Sequence, residues 1–378
     1  MLSTVLSKEV INCQNVHELG KRVLSEWSEF DLESFDSEVA NNLSTQGLSE
    51  RIQQVRKSLY NHLPKSYEQS LAIILRALPS ILPKDAFDTK LDLASQNGFI
   101  MISLTAFVSR YGIDHYQLSM NALKEMTKRF SAEGSIRYFI VRYPAQVLET
   151  FSRWVTDDSA HVRRLVSEST RPRLPMMMAL PEFKKDPTPI LPFLESLKND
   201  SELFIRRSVA NNLNDIAKDN PDVVTSLLKR WNDDKSANMT WLIKHALRTL
   251  EKQGDVNALK LLGFSENPSI SVETFSLKTS EINLGEQLEL SLQLNTSGNN
   301  DENLLIDYVI YHMKANGKLL PKVFKWTKKK TAKNSQLTLA KKHNIKPIST
   351  RKYYPGRHEV HLQINGKVMA KIDFYLKI

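Results

Sequence analysis

The period of the hydrophobic pattern changes once along the chain, near residue 265. Up to about Gly263, apolar residues recur every three or four positions, with stops such as HLPKS and RYPAQ between the runs. After Pro268 the pattern alternates, and QLELSLQL places every second residue, all leucines from Leu288 to Leu294, on one face of a strand. The sequence therefore predicts a helical domain over residues 1–265 and a β-rich domain over 270–378, with FSENPSIS as the linker.

Turn signals in the C-terminal part indicate how its strands are arranged. Asn365-Gly366 interrupts an alternating run and is a strong hairpin signal, and Asn316-Gly317 offers a second turn. About 108 residues of short alternating strands fit an all-β immunoglobulin-like sandwich. The single cysteine of the chain, Cys13, excludes an intramolecular disulfide and a zinc site built from paired cysteines.

The helical part contains an internal repeat. DDSAHVRRLVSE, NDSELFIRRSVANN and DDKSANMTWLIKHALRT share an acidic turn, an apolar residue followed by a base, and a helical run. The repeated bases are Arg163, Arg206 and Lys244, spaced 43 and 38 residues apart. This period is typical of HEAT-like helical pairs, which stack into an α solenoid with a concave face.

Stacking places equivalent bases of successive repeats in one row. Arg163 with Arg164, Arg206 with Arg207, and Lys244 with His245 would then form a basic ladder suited to a phosphate backbone. In the alternative interpretation, these bases pair with the acidic turns of neighbouring repeats. The alternative applies most to the first base of each pair.

Positive charge is concentrated in the C-terminal part. The chain carries a formal net charge of +10, and residues 271–378 hold 18 lysines and arginines against 9 aspartates and glutamates. Such an imbalance indicates a polyanionic partner, either nucleic acid or an acidic membrane surface, although a solvated lysine-rich face is the alternative. The start MLSTVLSKEV lacks the order of a signal peptide, and the apolar runs are too short to span a bilayer. We therefore expect a cytoplasmic protein.

Several strings of the sequence resemble one known family. SAEGSIRYFI, HVRRLVSESTRPRLP, RRSVANNLNDIAKD and KHALRTL are followed in order by LLIDYVIYHMKANGK and ISTRKYYPGRHEVHLQINGK. Together they resemble the AlkC-type DNA alkylation repair glycosylases of the AlkC/AlkD HEAT-like repeat superfamily. The resemblance runs from about Ser131 to the C-terminus, and the first 130 residues are compatible with the N-terminal helices of that fold.

The resemblance implies an activity, a partner and a set of acids. It implies a monofunctional glycosylase that excises cationic N-methylated bases, such as 3-methylcytosine and N-methyladenines, from duplex DNA without flipping the base. We expect the protein to be a monomer and to associate with the nucleoid when it is bound to DNA. The family's active-site acids carry over to Glu133, Glu168 and Asp215. Carboxylates suit this reaction because they stabilise an oxocarbenium-like sugar and orient water. Structural ion pairing is the alternative role.

Other residues are predicted to contact DNA. The Ig-like domain of such proteins embraces DNA, so the segments KWTKKK (Lys325 to Lys330) and STRKYYPGR (Ser349 to Arg357) are expected to touch it. The complete predicted set of DNA-binding residues is Arg163, Arg164, Arg171, Arg173, Arg206, Arg207, Lys244, His245, Arg351, Lys352 and Arg357. Relatives often have tryptophan directly after TRPRLP, where this chain has Met176; we expect Met176 to contact the lesion, with core packing as the alternative.

Other chemistries find little support. The chain has no phosphate-binding glycine loop, no paired-histidine zinc motif and no serine nucleophile elbow. We therefore predict neither a metal nor an organic cofactor. The competing function class is a non-catalytic HEAT-repeat scaffold or DNA-binding protein, which would have no reason to bring Glu133, Glu168 and Asp215 together.

Overall fold

The computed structural model describes residues 10–41, 43–83, 98–298, 300–348 and 351–378. The start of the chain, residues 1–9, and Ser349 and Thr350 of the predicted DNA-contacting segment lie outside the described residues. The chain divides into two compact units, Met1–Asn220 and Pro221–Ile378, called here the first and the second unit. In the described part of the chain, no helix combines the length and the apolar character needed to cross a membrane.

The first unit is helical throughout its described residues. Its α-helices are α1 (Cys13–Glu26), α2 (Leu32–Ala40), α3 (Leu48–His62), α4 (Tyr67–Arg76), α5 (Met101–Tyr111), α6 (Tyr116–Thr127), α7 (Glu133–Arg142), α8 (Pro144–Trp154), α9 (Ala160–Ser169), α10 (Pro181–Lys185), α11 (Leu191–Leu197) and α12 (Leu203–Ile216), with short 3₁₀ turns at Leu43–Thr45 and Thr188–Ile190.

Local sequence signals explain where these helices begin and end. The string HLPKS separates α3 from α4, and Ser66 caps α4 by accepting a hydrogen bond from the amide of Gln69. In RYPAQ, Pro144 ends α7 and occupies the first turn of α8, where its missing N–H is not needed. Both predicted stops are therefore confirmed.

The pair α9 and α12 forms the part of the first unit that carries the repeated sequence. Val162 and Val166, in the HVRRLV stretch of α9, are completely buried. Ile205 and Val209, in the FIRRSV stretch of α12, are completely buried as well. The two helices pack against each other. Equivalent positions of the two repeats therefore face the same core, and the polar residues that follow them in each helix are brought side by side.

The described residues of the second unit form four helices followed by eight strands. The helices are α13 (Pro221–Trp231), α14 (Ala237–Ala246), α15 (Arg248–Gln253) and α16 (Val256–Leu261). The strands are β1 (Ile270–Leu277), β2 (Glu281–Asn283), β3 (Gln287–Thr296), β4 (Glu302–Met313), β5 (Leu319–Thr331), β6 (Gln336–Asn344), β7 (Gly356–Ile364) and β8 (Lys367–Lys377). The predicted change from helix to strand is confirmed, whereas the division into domains at residues 265–270 stays a prediction.

The strands form two sheets on one apolar core. Their orders are β1-β3-β6 and β2-β8-β7-β4-β5, and every pairing is antiparallel except that of β2 with β8. The alternating leucines of β3, from Leu288 to Leu294, are at most 1% exposed and pack in a cluster shared with β4, β7 and β8. Asn365 and Gly366 take φ values of 45° and 81° in the turn between β7 and β8, as this type of hairpin requires. The predicted sandwich is confirmed.

Candidate active site

Three acids from three helices of the first unit are linked by two arginines. Glu133 begins α7, Glu168 lies in α9 and Asp215 lies in α12. Arg171, just after α9, donates from Nη1 to Oε1 of Glu168 at 2.6 Å and from Nε to Oδ2 of Asp215 at 2.9 Å. Arg164 lies 3.9 Å from a carboxylate oxygen of Glu133 and 3.9 Å from one of Glu168. The fold thus gathers the three acids that are widely separated in the sequence.

Glu168 is held in its ionised form. It is 6% exposed, and the Ser208 hydroxyl donates to its Oε2 at 2.6 Å while itself accepting a hydrogen bond from Ser167 at 2.7 Å. Burial opposes ionisation, but Arg164, Arg171 and the Ser208 hydroxyl outweigh it, so the pKa of Glu168 is lower than usual. This carboxylate therefore stays negative and is fixed in orientation.

Asp215 has both of its oxygens occupied. Its carboxylate is buried, with 2% of the side chain exposed, and it accepts from Arg171 on one oxygen and from Lys218 Nζ on the other at 2.8 Å. Charge-assisted hydrogen bonds on both oxygens fix the position of a carboxylate more firmly than one bond would. Asp215 is therefore a fixed anion beside Glu168.

Glu133 differs from the other two acids. Its side chain is 20% exposed, and its Oε2 has no hydrogen-bond partner among the residues that the structure describes. Burial by the surrounding protein raises the pKa of Glu133, even though the positive charge of Arg164 acts in the opposite direction. An oxygen without a hydrogen-bond partner and a raised pKa make Glu133 a stronger proton acceptor than an ordinary surface glutamate.

Arg163 and Arg206 bind turns of their own unit. Nε and Nη2 of Arg163 bind the two carboxylate oxygens of Asp200, and its Nη1 donates to two carbonyl groups in the turn before α9. One repeat later, Nη1 of Arg206 donates in the same way to two carbonyl groups before α12. Arg163 thus pairs with an acid of the next repeat, as in the alternative interpretation, whereas Arg206 binds carbonyl groups of the turn before its own helix.

The remaining predicted DNA-binding residues of the first unit lie in different environments. Arg164 and Arg171 belong to the acid cluster and are 17% and 9% exposed. Arg173 is 38% exposed and pairs with Asp219, while Arg207, on α12, is partly exposed. Of these four, Arg173 is the most exposed, and Arg171 is buried.

The predicted DNA-binding residues of the second unit mostly have partners within that unit. Lys244 is exposed on α14, and the ring of His245 stacks on that of Trp241 with centroids 5.1 Å apart. Arg351 donates a hydrogen bond to His312, and Lys352 makes a cation-π contact with the ring of Tyr354. Arg357 forms an ion pair with Asp373. The KWTKKK segment lies in β5, where Lys325 and Lys328 bind Glu251 and Lys330 pairs with Asp301.

Met176 projects from the turn between α9 and α10. It is 75% exposed and has a φ of 64°, a left-handed conformation that non-glycine residues seldom adopt. Met177 is also exposed, to 39%, and its sulfur lies against Gly134, beside Glu133. Core packing therefore does not account for Met176, and the turn presents its thioether to solvent near the acid cluster.

Two residues of the cluster were not singled out from the sequence. Ser208 hydrogen-bonds Glu168, and Arg137 is buried behind the turn that follows α9. Arg137 could have been suspected, because it lies four residues after Glu133 on the same helix and therefore on the same face. Within the described ranges, no three His, Cys, Asp or Glu side chains are grouped so that they could hold a metal ion.

Comparisons with known proteins cover both parts of the chain. Residues 110–250 match the family model described as DNA alkylation repair enzyme, and residues 271–378 match that of the YhaZ C-terminal Ig-like domain. The uncharacterized protein YhaZ of Bacillus subtilis (strain 168) is 34% identical over 368 residues, which cover 97% of this chain and 98% of that protein.

One solved structure is similar over its whole length. It is the Pseudomonas fluorescens alkylpurine DNA glycosylase AlkC bound to DNA containing an abasic site analog. The similarity has a TM-score of 0.85 at 33% sequence identity and covers 98% of this chain and 99% of that chain. The chain belongs to the family of AlkC-type DNA alkylation repair proteins that carry a C-terminal Ig-like domain.

Proposed function

We propose that the protein is a DNA glycosylase that hydrolyses the N-glycosidic bond of cationic N-methylated bases, typified by 3-methylcytosine and N-methyladenines, in duplex DNA. The observation that carries this proposal is the acid cluster, in which Arg164 and Arg171 link carboxylates from three helices. The similar AlkC structure supports it, since that glycosylase is bound to DNA containing an abasic site analog, which stands for the product of base removal.

The chemistry requires little acid catalysis. When the bond between the base nitrogen and C1′ breaks, its electron pair neutralises the positive charge on the methylated base, which leaves as a neutral molecule. The sugar becomes oxocarbenium-like and needs negative charge nearby, as in glycoside hydrolysis. A water molecule then forms the new bond to C1′ and loses a proton. Carboxylates supply both the charge and the proton acceptor.

The three acids divide these roles according to their contacts. Glu168 and Asp215 are bound by Arg171 and keep their charge and orientation. Oε2 of Glu133 has no hydrogen-bond partner among the described residues and lies 3.9 Å from Arg164, and the pKa of Glu133 is raised, so we assign to Glu133 the role of orienting the water and taking its proton. The side chain of Glu133 is 20% exposed although its Oε2 is buried, and we propose that the site acts on the lesion without flipping the base into a closed pocket.

The protein–DNA contacts follow from exposure and charge. We assign phosphate contacts to Arg173 and Arg207 of the first unit and to Lys244 and Lys352 of the second, because backbone contacts require accessible cations. Met176, exposed in its turn, is placed to contact the lesion or its deoxyribose through a polarizable sulfur. The protein is proposed to bind as a monomer.

The test compares excision by the parent protein with that by Glu133→Gln. Duplexes that each carry one methylated base are incubated with protein in excess, and abasic sites are scored over time. We expect Glu133→Gln to slow excision by about 10²- to 10⁴-fold, the range for a positioned acid or base. Affinity for the duplex should hold or rise slightly, since a negative charge is removed from a surface that faces phosphates.

Glu149→Gln is the matched control. Glu149 belongs to the same unit, is 72% exposed and pairs with Arg153 on α8, outside the acid cluster. It should therefore leave excision unchanged. A parent protein that binds duplexes but releases no methylated base would favour the non-catalytic scaffold, and a Glu133→Gln variant as fast as the parent would remove Glu133 from the chemistry.

A further inference from the structure

Arg137 is a completely buried arginine of α7 whose guanidinium group donates hydrogen bonds to backbone carbonyl groups. It is 0% exposed. Its Nε donates to the carbonyl of Met178 at 2.8 Å, and its Nη1 donates to those of Ser169 at 2.7 Å and Arg171 at 2.8 Å. Burial and the neighbouring charge of Arg171 lower the pKa of Arg137 to about 10, which leaves the guanidinium protonated at neutral pH. Burying a charged group is costly unless it is hydrogen-bonded or paired, and here the three carbonyl groups supply the hydrogen bonds.

The three carbonyls bracket the turn that carries part of the site. Ser169 and Arg171 stand at its start and Met178 near its end, before α10 begins at Pro181. Between them lie the side chain of Arg171, which links Glu168 to Asp215, and Met176 with its left-handed backbone. A single planar guanidinium therefore ties the two ends of the turn to α7.

The same helix approaches the turn at a second point. Gly134 lies next to Glu133, and a Cβ atom placed on Gly134 would be 2.6 Å from the sulfur of Met177. That separation is shorter than two such atoms tolerate, so the close approach of Met177 depends on a glycine at this position. Helix α7 thus supplies Glu133 and, through Gly134 and Arg137, sets the position of the turn opposite it.

We infer that Arg137 is a positioning residue for base excision. By binding the carbonyls at both ends of the turn, it sets the distance from Glu133 to Arg171 and to Met176. This inference rests on the proposed glycosylase function. It assigns Arg137 no contact with DNA, because the side chain is fully buried. Misplacement of catalytic groups by about 1 Å can slow a reaction by about 10²-fold, so a residue of this kind is important for rate more than for affinity.

The experiment uses Arg137→Lys in the full-length protein. Lysine keeps the buried positive charge, but its compact ammonium group cannot bridge carbonyls at both ends of the turn as a planar fork does. We expect single-turnover excision of a cationic methylated base to slow by about 10- to 100-fold, with duplex affinity within about threefold of the parent. Hydrogen exchange of amides in residues 170–180 should accelerate about tenfold or more, since the turn loses its anchor.

Arg51→Lys is the matched control. Arg51 is 3% exposed in the same unit and also binds carbonyls, those of Ile11 and Gln46, which belong to none of the helices that carry the acids. It should lose comparable stability while keeping the excision rate and the exchange of residues 170–180.

The outcomes separate this inference from the function on which it rests. Parent-like excision and parent-like exchange in a folded Arg137→Lys protein would overturn it. Equal slowing by Arg51→Lys would do so too, because the effect would then follow stability alone. The parent protein could be inactive while Arg137→Lys still accelerates amide exchange in residues 170–180. That result would refute the glycosylase proposal and retain the anchoring role of Arg137.

Discussion

Removal of the Arg171 guanidinium is the sharpest test of the charge network. In Arg171→Met, Glu168 and Asp215 each lose one charge-assisted hydrogen bond, of 2.6 and 2.9 Å in the parent. Breaking a buried ion pair by removing one partner costs about 3–5 kcal/mol. Asp215 keeps Lys218 and Glu168 keeps Ser208, so we expect the lower end, a loss of about 3 kcal/mol in the free energy of unfolding of the first unit.

The loss should depend on pH with a defined sign. Because the pKa of Glu168 is lower in the folded protein than in the unfolded chain, its ionisation stabilises the fold above a pH of about 4.3. This contribution disappears as the pH falls through the folded pKa. Arg171 is one cause of the low pKa, so the difference between parent and variant should be largest at neutral pH and shrink in more acidic solution.

Hydrogen exchange measures the loss, and a variant of the neighbouring Arg173 provides the control. Hydrogen exchange of the most protected amides of α9 and α12, at pH 7 and at low pH, reports the unfolding free energy of the region that holds the pair. Arg173→Met is the control, because Arg173 makes a similar ion pair with Asp219 but is 38% exposed, where pairs contribute about 0–1 kcal/mol. Equal losses in the two variants would refute the idea that burial makes the Arg171 network important.

Two further predictions concern the second unit. Asp307 is 5% exposed, and burial raises its pKa to about 6, despite the positive charge of Lys325 and with a further contribution from Glu251. Its ionisation destabilises the fold as the pH rises from about 4, where the unfolded chain titrates, to about 6, so Asp307→Asn should raise the free energy of unfolding by about 3 kcal/mol at pH 7.5 and by less than about 1 kcal/mol at pH 4, measured by urea unfolding; an equal gain at both pH values would contradict this. For DNA binding, Lys329→Gln should reduce the slope of log affinity against log salt concentration by about one unit, because one phosphate contact is lost. Lys278→Gln, which removes a lysine of an exposed ion pair, should leave the slope unchanged. Identical slopes in the two variants would remove β5 from the interface.

Much of the fold could be predicted because it is encoded in local patterns. The alternating leucines of β3, such as Leu292, are buried on one face as their spacing requires. The Asn365-Gly366 turn and the start of α8 at Pro144 follow from the backbone conformations that these residues favour. Such features depend on neighbours within a few residues, so the sequence shows them directly.

The candidate site could be predicted only in part, because long-range contacts decide the role of each charged residue. The sequence alone does not distinguish an arginine that binds a phosphate from one that binds a carboxylate. Arg171 was predicted to bind DNA, and its partner Asp215 lies 44 residues further along the chain. Lys325 was expected in a DNA-contacting segment, and it binds Glu251, 74 residues away. The family resemblance identified the acids, but only the fold shows which cations bind them.

The pairing of these charges also resolves a conflict between binding and catalysis. A surface that approaches DNA gains from positive charge, whereas an oxocarbenium-like sugar is stabilised by negative charge. Arg171 and Lys218 compensate Glu168 and Asp215 internally, so these acids add little net repulsion to an approaching phosphate. Glu133, with its raised pKa, is the acid whose charge is most easily withdrawn and restored by a proton. In the proposed reaction, the cluster therefore places fixed anions close to the sugar while its net charge toward the backbone stays small.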